Sequence, residues 1–306
     1  MSNTVIKVSH EMINKMKDYY SQSLLEKNPP GAIFTAKQNG CTITAYRSGK
    51  VMFQGNFHSD EASKWGEAST IPKKTKVNKT SGKPLPPDIS TMSLIGSDEV
   101  GTGDYFGPIT VVSAYVKKEQ IPLLKELGVK DSKDLSDPQI VTIAKDLLHA
   151  IPYSLLILHN EKYNQLQASG MTQGKMKALL HNKALNNLLK KIPEKPEAIL
   201  IDQFVEADTY FRHLKGQKEI CTENVYFSTK GESVHLAVAA ASILARYAFI
   251  KEFDKLSEKA GFTLPKGAGH QVDKAAARLI KKKGRPALKD FAKIHFANTE
   301  KALKLI

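Results

Sequence analysis

Short runs of alternating apolar and polar residues dominate the first 70 residues and predict a small sheet. Apolar residues at helical spacing predict a helix over His10–Leu25, which the turn-forming run Asn28–Gly31 ends. Asn39-Gly40 and Ser48-Gly49 are typical of hairpin turns. The predicted strands, which a second helix follows, are Ala32–Lys37, Thr42–Arg47 and Val51–Phe57.

Apolar content falls almost to zero over Ile71–Ser90, where Lys, Pro, Ser and Thr dominate. Such a composition cannot bury enough apolar surface to order itself, so it predicts an exposed linker. We therefore divide the chain into a small N-terminal α+β domain (residues 1–70), a basic linker (71–92) and a large second domain (93–306). The N-terminal domain holds no cluster of carboxylates or histidines. We expect it to bind substrate, although a stabilising cap fits the same pattern.

Apolar strand-like runs alternate with long helical patterns after the linker and predict an α/β domain with a mixed sheet. The longest apolar run, Val234–Ile250, contains His235, Ser242 and Arg246. It is too polar to span a bilayer and is expected to be a buried helix. The predicted strands are Ser93–Ser97, Ile109–Val116, Ser154–His159 and Ala198–Ile201, and the predicted helices are Gln139–Ala150, Gly174–Lys191, Ser233–Leu256 and Val272–Lys283.

Charge adds the first functional indication, because 45 Lys and Arg against 31 Asp and Glu give a net charge of +14. Such a protein attracts polyanions, either nucleic acid or an anionic membrane surface. No amphipathic membrane helix or lipidation motif favours the membrane. The two cysteines have no CxxC partner, which excludes a disulfide framework and a zinc-thiolate site. The first residues lack the features of a signal peptide, so we expect a cytoplasmic protein.

Two adjacent carboxylates, Asp98 and Glu99, end the first predicted strand of the second domain, and Gly101, Gly103 and Gly107 follow. Neighbouring side chains of a strand point to opposite faces, so the two acids are expected to converge only if the backbone bends or bulges. Glycines permit that bend and let a substrate backbone approach closely. The spacing GxGxxxG after two acids disfavours a dinucleotide cradle. A polar hairpin turn is the structural alternative.

Asp202 and Glu232 are two further acids at suggestive positions. Asp202 ends a fully apolar strand, and Glu232 precedes a helix rich in alanine, which can pack closely and carry the acid inward. Each also has a structural explanation, since an aspartate often caps a turn and a glutamate interacts favourably with a helix N-terminus. Several carboxylates in one place repel one another unless cations neutralise them. Without a Cys/His cluster, they predict a two-metal site for Mg²⁺ or Mn²⁺, as in phosphodiester hydrolysis.

Four segments resemble the type 2 and type 3 ribonucleases H in their order and separation. They are GSDEVGTGDYFGP, ILIDQF, TKGESVHLAVAAASILARYAF and LPKGAGHQVDKAA. The N-terminal domain resembles the TATA-binding-protein-like domain of the type 3 enzymes. The resemblance implies a ribonuclease H-like mixed sheet with flanking helices. It also implies cleavage of the RNA strand of RNA–DNA hybrids, giving 5′-phosphate and 3′-hydroxyl ends.

The resemblance assigns metal binding and catalysis to Asp98, Glu99 and Asp202, with Glu232 as the fourth carboxylate. The type 2 enzymes have an aspartate at that last position, and Glu206 is the alternative in this chain. The type 2 enzymes also have Gly-Arg-Gly after the first two acids, where this chain has Gly-Thr-Gly as the type 3 enzymes do. That arginine takes part in reading an RNA-to-DNA junction. Its absence here argues against efficient cutting at a single embedded ribonucleotide. The candidate substrate contacts are Gly101, Thr102, Gly103, Ser233, Lys133 and Lys266.

The partner implied is therefore an RNA–DNA hybrid duplex, with no membrane and no obligate protein partner, and we expect a monomer. Two other classes fit the composition. One is a basic nucleic-acid-binding protein whose acids are structural, and the other is a metal-dependent nuclease of the same fold that acts on DNA or structured RNA.

Overall fold

The chain divides into two units, Met1–Val77 and Asn78–Ile306. A computed structural model describes residues 3–26, 28–65 and 82–306. Of the expected linker, residues 71–81 lie outside the described residues. The remainder packs on the second unit, where Ile89 is buried in the core and Leu85 lies against it.

The first unit contains an antiparallel sheet of strands β1 to β4, in the order β1-β4-β3-β2 among the described residues. The predicted helix is shorter than expected, since Tyr20 ends it and Leu24 instead bridges to Ala36 of the sheet. Strand β1 was not predicted, because it is short and its pairing with β4 is remote in sequence. The elements are β1 Asn3–Lys7, α1 His10–Tyr19, β2 Ala32–Gln38, β3 Cys41–Tyr46, β4 Lys50–Gly55 and α2 His58–Ser63.

The second unit is built on a mixed sheet of strands β5 to β9 within residues 82–306, in the order β7-β6-β5-β8-β9. Strands β5, β6 and β7 are antiparallel neighbours, whereas β8 is parallel to both β5 and β9. The predicted α/β class with a mixed sheet is confirmed. The strands are β5 Leu94–Val100, β6 Ile109–Val116, β7 Tyr153–Leu158, β8 Ala198–Asp202 and β9 Val225–Ser228.

Helices cover both faces of this sheet. Helices α4 and α8 share one buried cluster with β5 and β6, and α6 and α7 share another with β5, β8 and β9. Helices α3, α5, α7, α10 and α11 and strand β9 were not predicted. The helices are α3 Ile121–Glu126, α4 Asp137–Ala150, α5 Asn160–Ala168, α6 Gln173–Leu189, α7 Ala207–Leu214, α8 Leu236–Ala260, α9 His270–Lys283, α10 Leu288–Phe291 and α11 Asn298–Leu303.

Helix α8 lies unusually close to the central strand β5. A Cβ atom added to Gly96 would lie 2.2 Å from the backbone carbon of Ala237, so only glycine fits at this point. His235 starts the helix by accepting a hydrogen bond from the Ala237 N–H at 2.9 Å. The small residues at the start of α8 therefore let the helix pack closely, as expected from the sequence. This packing brings the segment before the helix against the sheet.

The last helices, α9 to α11, pack with Tyr105 and Phe106 in a separate buried cluster. Phe106 pairs with Ala292 as an isolated antiparallel bridge. The segment that follows β5 is therefore fixed by the C-terminal part of the chain. In the described residues, none of the helices has the length and apolar character needed to cross a membrane.

Candidate active site

The three parallel strands β5, β8 and β9 end at the same edge of the sheet, and the predicted acids lie there. Asp98 and Glu99 are near the end of β5, and Asp202 is the last residue of β8. The turn after β9 leads into a short 3₁₀ helix, Gly231–Ser233, that carries Glu232. Parallel strands place their carboxyl ends together, which explains why residues more than 130 positions apart meet.

The backbone at Asp98 and Glu99 is regular. The two residues pair with Val112 and Val111 of β6 in an unbroken register. The expected bend or bulge was therefore wrong. Because Ser97 pairs with Ile201, Asp98 and Asp202 follow as neighbours at the sheet edge, and the charge of Glu99 also reaches Asp202. The two acids thus interact with Asp202 without any irregularity in β5.

Asp98 is the most buried of these acids, with 5% of its surface exposed. Burial raises the pKa of Asp98 well above its usual range, and the charges of Asp202 and Glu99 raise it further. One carboxylate oxygen accepts the Glu99 N–H at 2.7 Å. In this arrangement the ionised form of Asp98 is opposed from several sides, which is the condition that a bound cation would relieve.

Glu99 is held by a lysine and a histidine of helix α6. Lys177 donates to one carboxylate oxygen at 2.7 Å, and His181 Nε2 lies 2.9 Å from the other. Burial alone would raise the pKa of Glu99, but the contacts with His181 and Lys177 outweigh it and lower that pKa. The His181 ring is itself oriented by Ser97, whose hydroxyl lies 2.8 Å from Nδ1.

The sequence analysis missed Lys177 and His181. The available signal was their spacing of four residues, which places both on one face of a helix, here the buried one. A lysine on a buried helical face needs an anionic partner, because burial of a cation is costly.

Asp202 and Glu232 are oriented by backbone N–H groups. Gly231 donates to Asp202 at 2.7 Å, and Ser132 donates to Glu232 at 2.6 Å. Burial raises the pKa of both carboxyls, although these hydrogen bonds act in the opposite direction. The neighbouring carboxyl of Asp131 raises the pKa of Glu232 further.

The loop that carries Asp131, Ser132 and Lys133 is the second part of the site that was not predicted. Of its residues, only Lys133 was a candidate. Its 3₁₀ helix, Ser132–Asp134, packs on α8, where the Ser132 and Ser242 hydroxyls lie 2.9 Å apart. Lys133 extends from it towards Glu232, with Nζ 3.5 Å from the carboxylate and most of the side chain exposed.

Glu206, the alternative fourth carboxylate, lies elsewhere. It is exposed at the start of α7 and accepts a hydrogen bond from Gln203 at 3.3 Å. Glu232, unlike Glu206, is among the main charges that raise the pKa of Asp98.

The remaining candidate contacts are dispersed. Ser233 is exposed and donates to the Lys230 carbonyl at 2.8 Å. Lys266 forms an ion pair with Asp137, which also accepts from Arg246 at 2.7 Å. No described hydrogen bond directs the side chain of Lys266 or Ser233 towards the predicted acids.

We call residues 101–104 the glycine turn. Gly101 has a φ of +93°, which only glycine adopts readily. The Thr102 carbonyl accepts from Gln173 Nε2 at 3.1 Å. Gly103 is exposed, and a Cβ added to it would meet nothing within 4 Å. The turn therefore presents open backbone beside the acids.

The donor set suits a hard divalent cation, since all four predicted acids supply oxygen. In the part of the chain that the structure describes, however, no three Asp, Glu, His or Cys side chains are arranged to hold an ion. Glu99 is engaged by α6, and Glu232 by Ser132 and Lys133. The chemistry of the residues fits a metal, because a carboxylate keeps lone pairs free after it accepts these hydrogen bonds.

Comparisons with known proteins agree with this arrangement. The family model described as Ribonuclease HII matches residues 95–299, and the one described as Domain of unknown function (DUF3378) matches residues 3–78. Ribonuclease HIII of Bacillus mycoides is 64% identical, covering 100% of this chain and 99% of its own. Ribonuclease HIII of Bacillus cereus is 63% identical over the whole of both chains. The crystal structure of Bst-RNase HIII in complex with Mn²⁺ is 46% identical with a TM-score of 0.70, covering 99% of each chain.

The mixed sheet and these relatives together define a nuclease of the ribonuclease H class. The chain belongs to the ribonuclease HII family and, within it, to the ribonucleases HIII. The resemblance found in the sequence is confirmed. The activity is endonucleolytic cleavage of the RNA strand of RNA–DNA hybrids.

Proposed function

We propose that Asp98, Glu99, Asp202 and Glu232 are the catalytic residues of this ribonuclease H and hold its metal ions. The observation that supports this proposal is their assembly at one sheet edge, where burial and neighbouring acids oppose the charge of Asp98. A cluster of that kind becomes stable when divalent cations neutralise it. The products are a 5′-phosphate and a 3′-hydroxyl.

Mg²⁺ or Mn²⁺ is the proposed cofactor, in a two-metal site, and the Mn²⁺ complex of Bst-RNase HIII supports it. When bound, such ions activate water and stabilise the leaving oxygen. The chain's own contribution is orientation. Gly231 fixes Asp202, Ser132 fixes Glu232, and α6 holds Glu99 through Lys177 and His181.

The hybrid is recognised by its shape, its phosphates and its 2′-hydroxyls. The glycine turn offers Gly101, Thr102 and Gly103 as backbone contacts for the ribose beside the scissile bond. Lys133, exposed next to Glu232, is placed to contact a phosphate, and Lys266 and Ser233 are further candidates.

The N-terminal domain, residues 1–70, binds the duplex at a second place. Residues 71–92 connect it to the catalytic domain, residues 93–306. We place the enzyme in the cytoplasm as a monomer, with the hybrid as its partner. The net charge of +14 supports a polyanionic substrate.

The first prediction tests this assignment by the exchange Asp98→Asn. Removing one carboxylate charge should lower cleavage of a labelled RNA–DNA hybrid by more than about 100-fold, the upper range for loss of a supporting metal-site group. Binding of the hybrid should stay intact or tighten, because negative charge near the phosphates is removed.

The assay compares RNA–DNA, RNA–RNA and DNA–DNA duplexes with and without Mg²⁺. Asp254→Asn, an exposed change on α8, is the matched control. Normal cleavage by the Asp98 variant would contradict the assignment. Cleavage of the other duplexes at the same rate would point to a nuclease of broader specificity.

A further inference from the structure

Lys293 is a fully buried lysine whose ammonium group forms no ion pair with any described carboxylate. Its Nζ instead donates to two backbone carbonyls, those of Asp104 at 2.8 Å and Gly107 at 2.7 Å. Burying a cation is costly unless it is paired, so a lysine in this position requires a specific reason.

Its surroundings are rigid. Asn164 on α5 donates to the Ala292 carbonyl at 2.8 Å and accepts from the Ile294 N–H at 3.1 Å. The Lys293 N–H donates to the Tyr105 carbonyl at 2.8 Å. The side chain therefore starts from a fixed backbone and ends on the segment that follows β5.

Asp104 links Lys293 to the glycine turn. Its N–H lies 3.4 Å from the Gly101 carbonyl and closes the turn, and its side chain accepts from the Gly267 N–H at 2.5 Å. Its carbonyl is one of the two that Lys293 binds. Without Lys293, the buried carbonyls of Asp104 and Gly107 would lose this donor.

We infer that Lys293 is a positioning residue that holds the glycine turn in place for the RNA strand. The inference rests on the proposed contact between that turn and the ribose, and it assigns Lys293 no direct contact with substrate. Its effect passes through the carbonyls of Asp104 and Gly107 to the backbone of residues 101–103.

The protonation chemistry of Lys293 is compatible with this role. Burial lowers its pKa to about 7, against a weaker opposing influence of Asp104. A neutral amine still has two N–H donors, which match the two carbonyls. The hydrogen bonds can therefore persist in either protonation state.

The test is Lys293→Met, which keeps the length and apolar stem and removes both donors. We expect KM for the RNA–DNA hybrid to rise about tenfold while kcat changes less than about threefold, because the acids on β5 and β8 are not touched. Amide hydrogen exchange across residues 101–107 should become faster. Lys289→Met, on the exposed face of α10, controls for the loss of one positive charge.

A merely structural role would instead lower the thermal midpoint and reduce the active fraction without raising KM, and that result overturns the inference. If the methionine variant does not fold, Lys293→Gln takes its place, because its side chain is one atom shorter and withdraws the donor from the two carbonyls while it keeps a polar end. The same rise in KM supports the inference, and an unchanged KM in the folded glutamine variant overturns it.

Gly103→Ala separates this inference from the proposed function. Because a Cβ there meets nothing within 4 Å of the protein, any rise in KM reports crowding against the substrate. If Gly103→Ala raises KM and Lys293→Met does not, the proposed ribose contact stands and the role of Lys293 is overturned. If neither raises KM, the glycine turn does not contact the substrate, and both ideas fail at that step while the catalytic acids are unaffected.

Discussion

At the scale of single residues, the proposed role of Asp98 as a metal ligand makes two demands that conflict in the metal-free protein. The carboxylate must be ionised to bind a cation, yet burial and the charges of Asp202 and Glu99 raise its pKa. A carboxyl whose pKa is higher in the folded than in the unfolded state contributes stability at low pH. That contribution is lost as the pH rises through the folded-state pKa. The ionised form of Asp98 therefore destabilises the fold.

The second prediction follows from this destabilisation of the fold by the ionised carboxylate. Asp98→Asn should increase the free energy of unfolding of the metal-free protein at neutral pH, on the order of 1 kcal/mol. The gain should shrink as the pH falls from the raised folded-state pKa towards the usual value of 3.8, below which the wild-type carboxyl is protonated in both states. Denaturant unfolding in the presence of a chelator measures both, with Asp254→Asn as the control.

Added Mg²⁺ should reverse the order, because an ion that binds only the folded state stabilises the wild type and loses a ligand in the variant. Equal stabilities of the two proteins at every pH and metal concentration would contradict the assignment of Asp98 as a buried metal-binding anion.

At the scale of elements, the sequence predicted the parts of the fold whose apolar patterns are long. Strands β5, β6 and β7 and helices α4, α6, α8 and α9 lie close to the predicted positions. Strands β1 and β9 were missed because five and four residues carry too little pattern, and each is stabilised by a neighbour distant in sequence.

The same distinction applies to the site. Asp98, Glu99 and Asp202 could be found because they end apolar strands. Ser132 could not, because the loop before α4 reaches the acids only through tertiary packing. The spacing of Lys177 and His181 marks one face of helix α6 but does not show which element that face packs against. Local pattern identified the charged groups but not the groups that orient them.

The contact of α8 with β5 supports the third prediction, for Gly96→Ala. The added Cβ would lie 2.2 Å from the Ala237 backbone, so α8 must move away from the sheet. We expect a loss of about 1–3 kcal/mol in the free energy of unfolding, the usual cost of overpacking. We also expect a fall in kcat, because Glu232 precedes this helix.

Thermal unfolding and steady-state kinetics measure the two effects. Gly103→Ala is the matched control for stability, since the same added methyl group meets open space. A Gly96 variant as stable as the wild type would show that α8 can shift without consequence.

At the scale of the whole molecule, the chain joins a small antiparallel unit to a nuclease unit in a protein of net charge +14. The fourth prediction is that removing residues 1–70 raises KM for the hybrid and leaves kcat nearly unchanged. The reason is that the predicted acids all lie in the second unit. Binding by the full chain should also weaken steeply with salt, as phosphate contacts do.

Kinetics of the truncated and full-length proteins over a range of salt concentrations make this measurement. Circular dichroism is the control for folding of the truncated protein. An unchanged KM would mean that the N-terminal unit stabilises the enzyme and does not hold its substrate.

The closeness of Gly96 to Ala237 also bears on how this enzyme can vary. Gly96 has no side chain and takes no part in the chemistry, yet every substitution at this position adds a Cβ atom to a space already filled by the backbone of α8. In an unbiased library of point mutants selected for hybrid cleavage, position 96 should accordingly be recovered as glycine. A screen that ranks positions by loss of function would then place it beside Asp98, although we propose catalysis for Asp98, whereas Gly96 only leaves room for a helix.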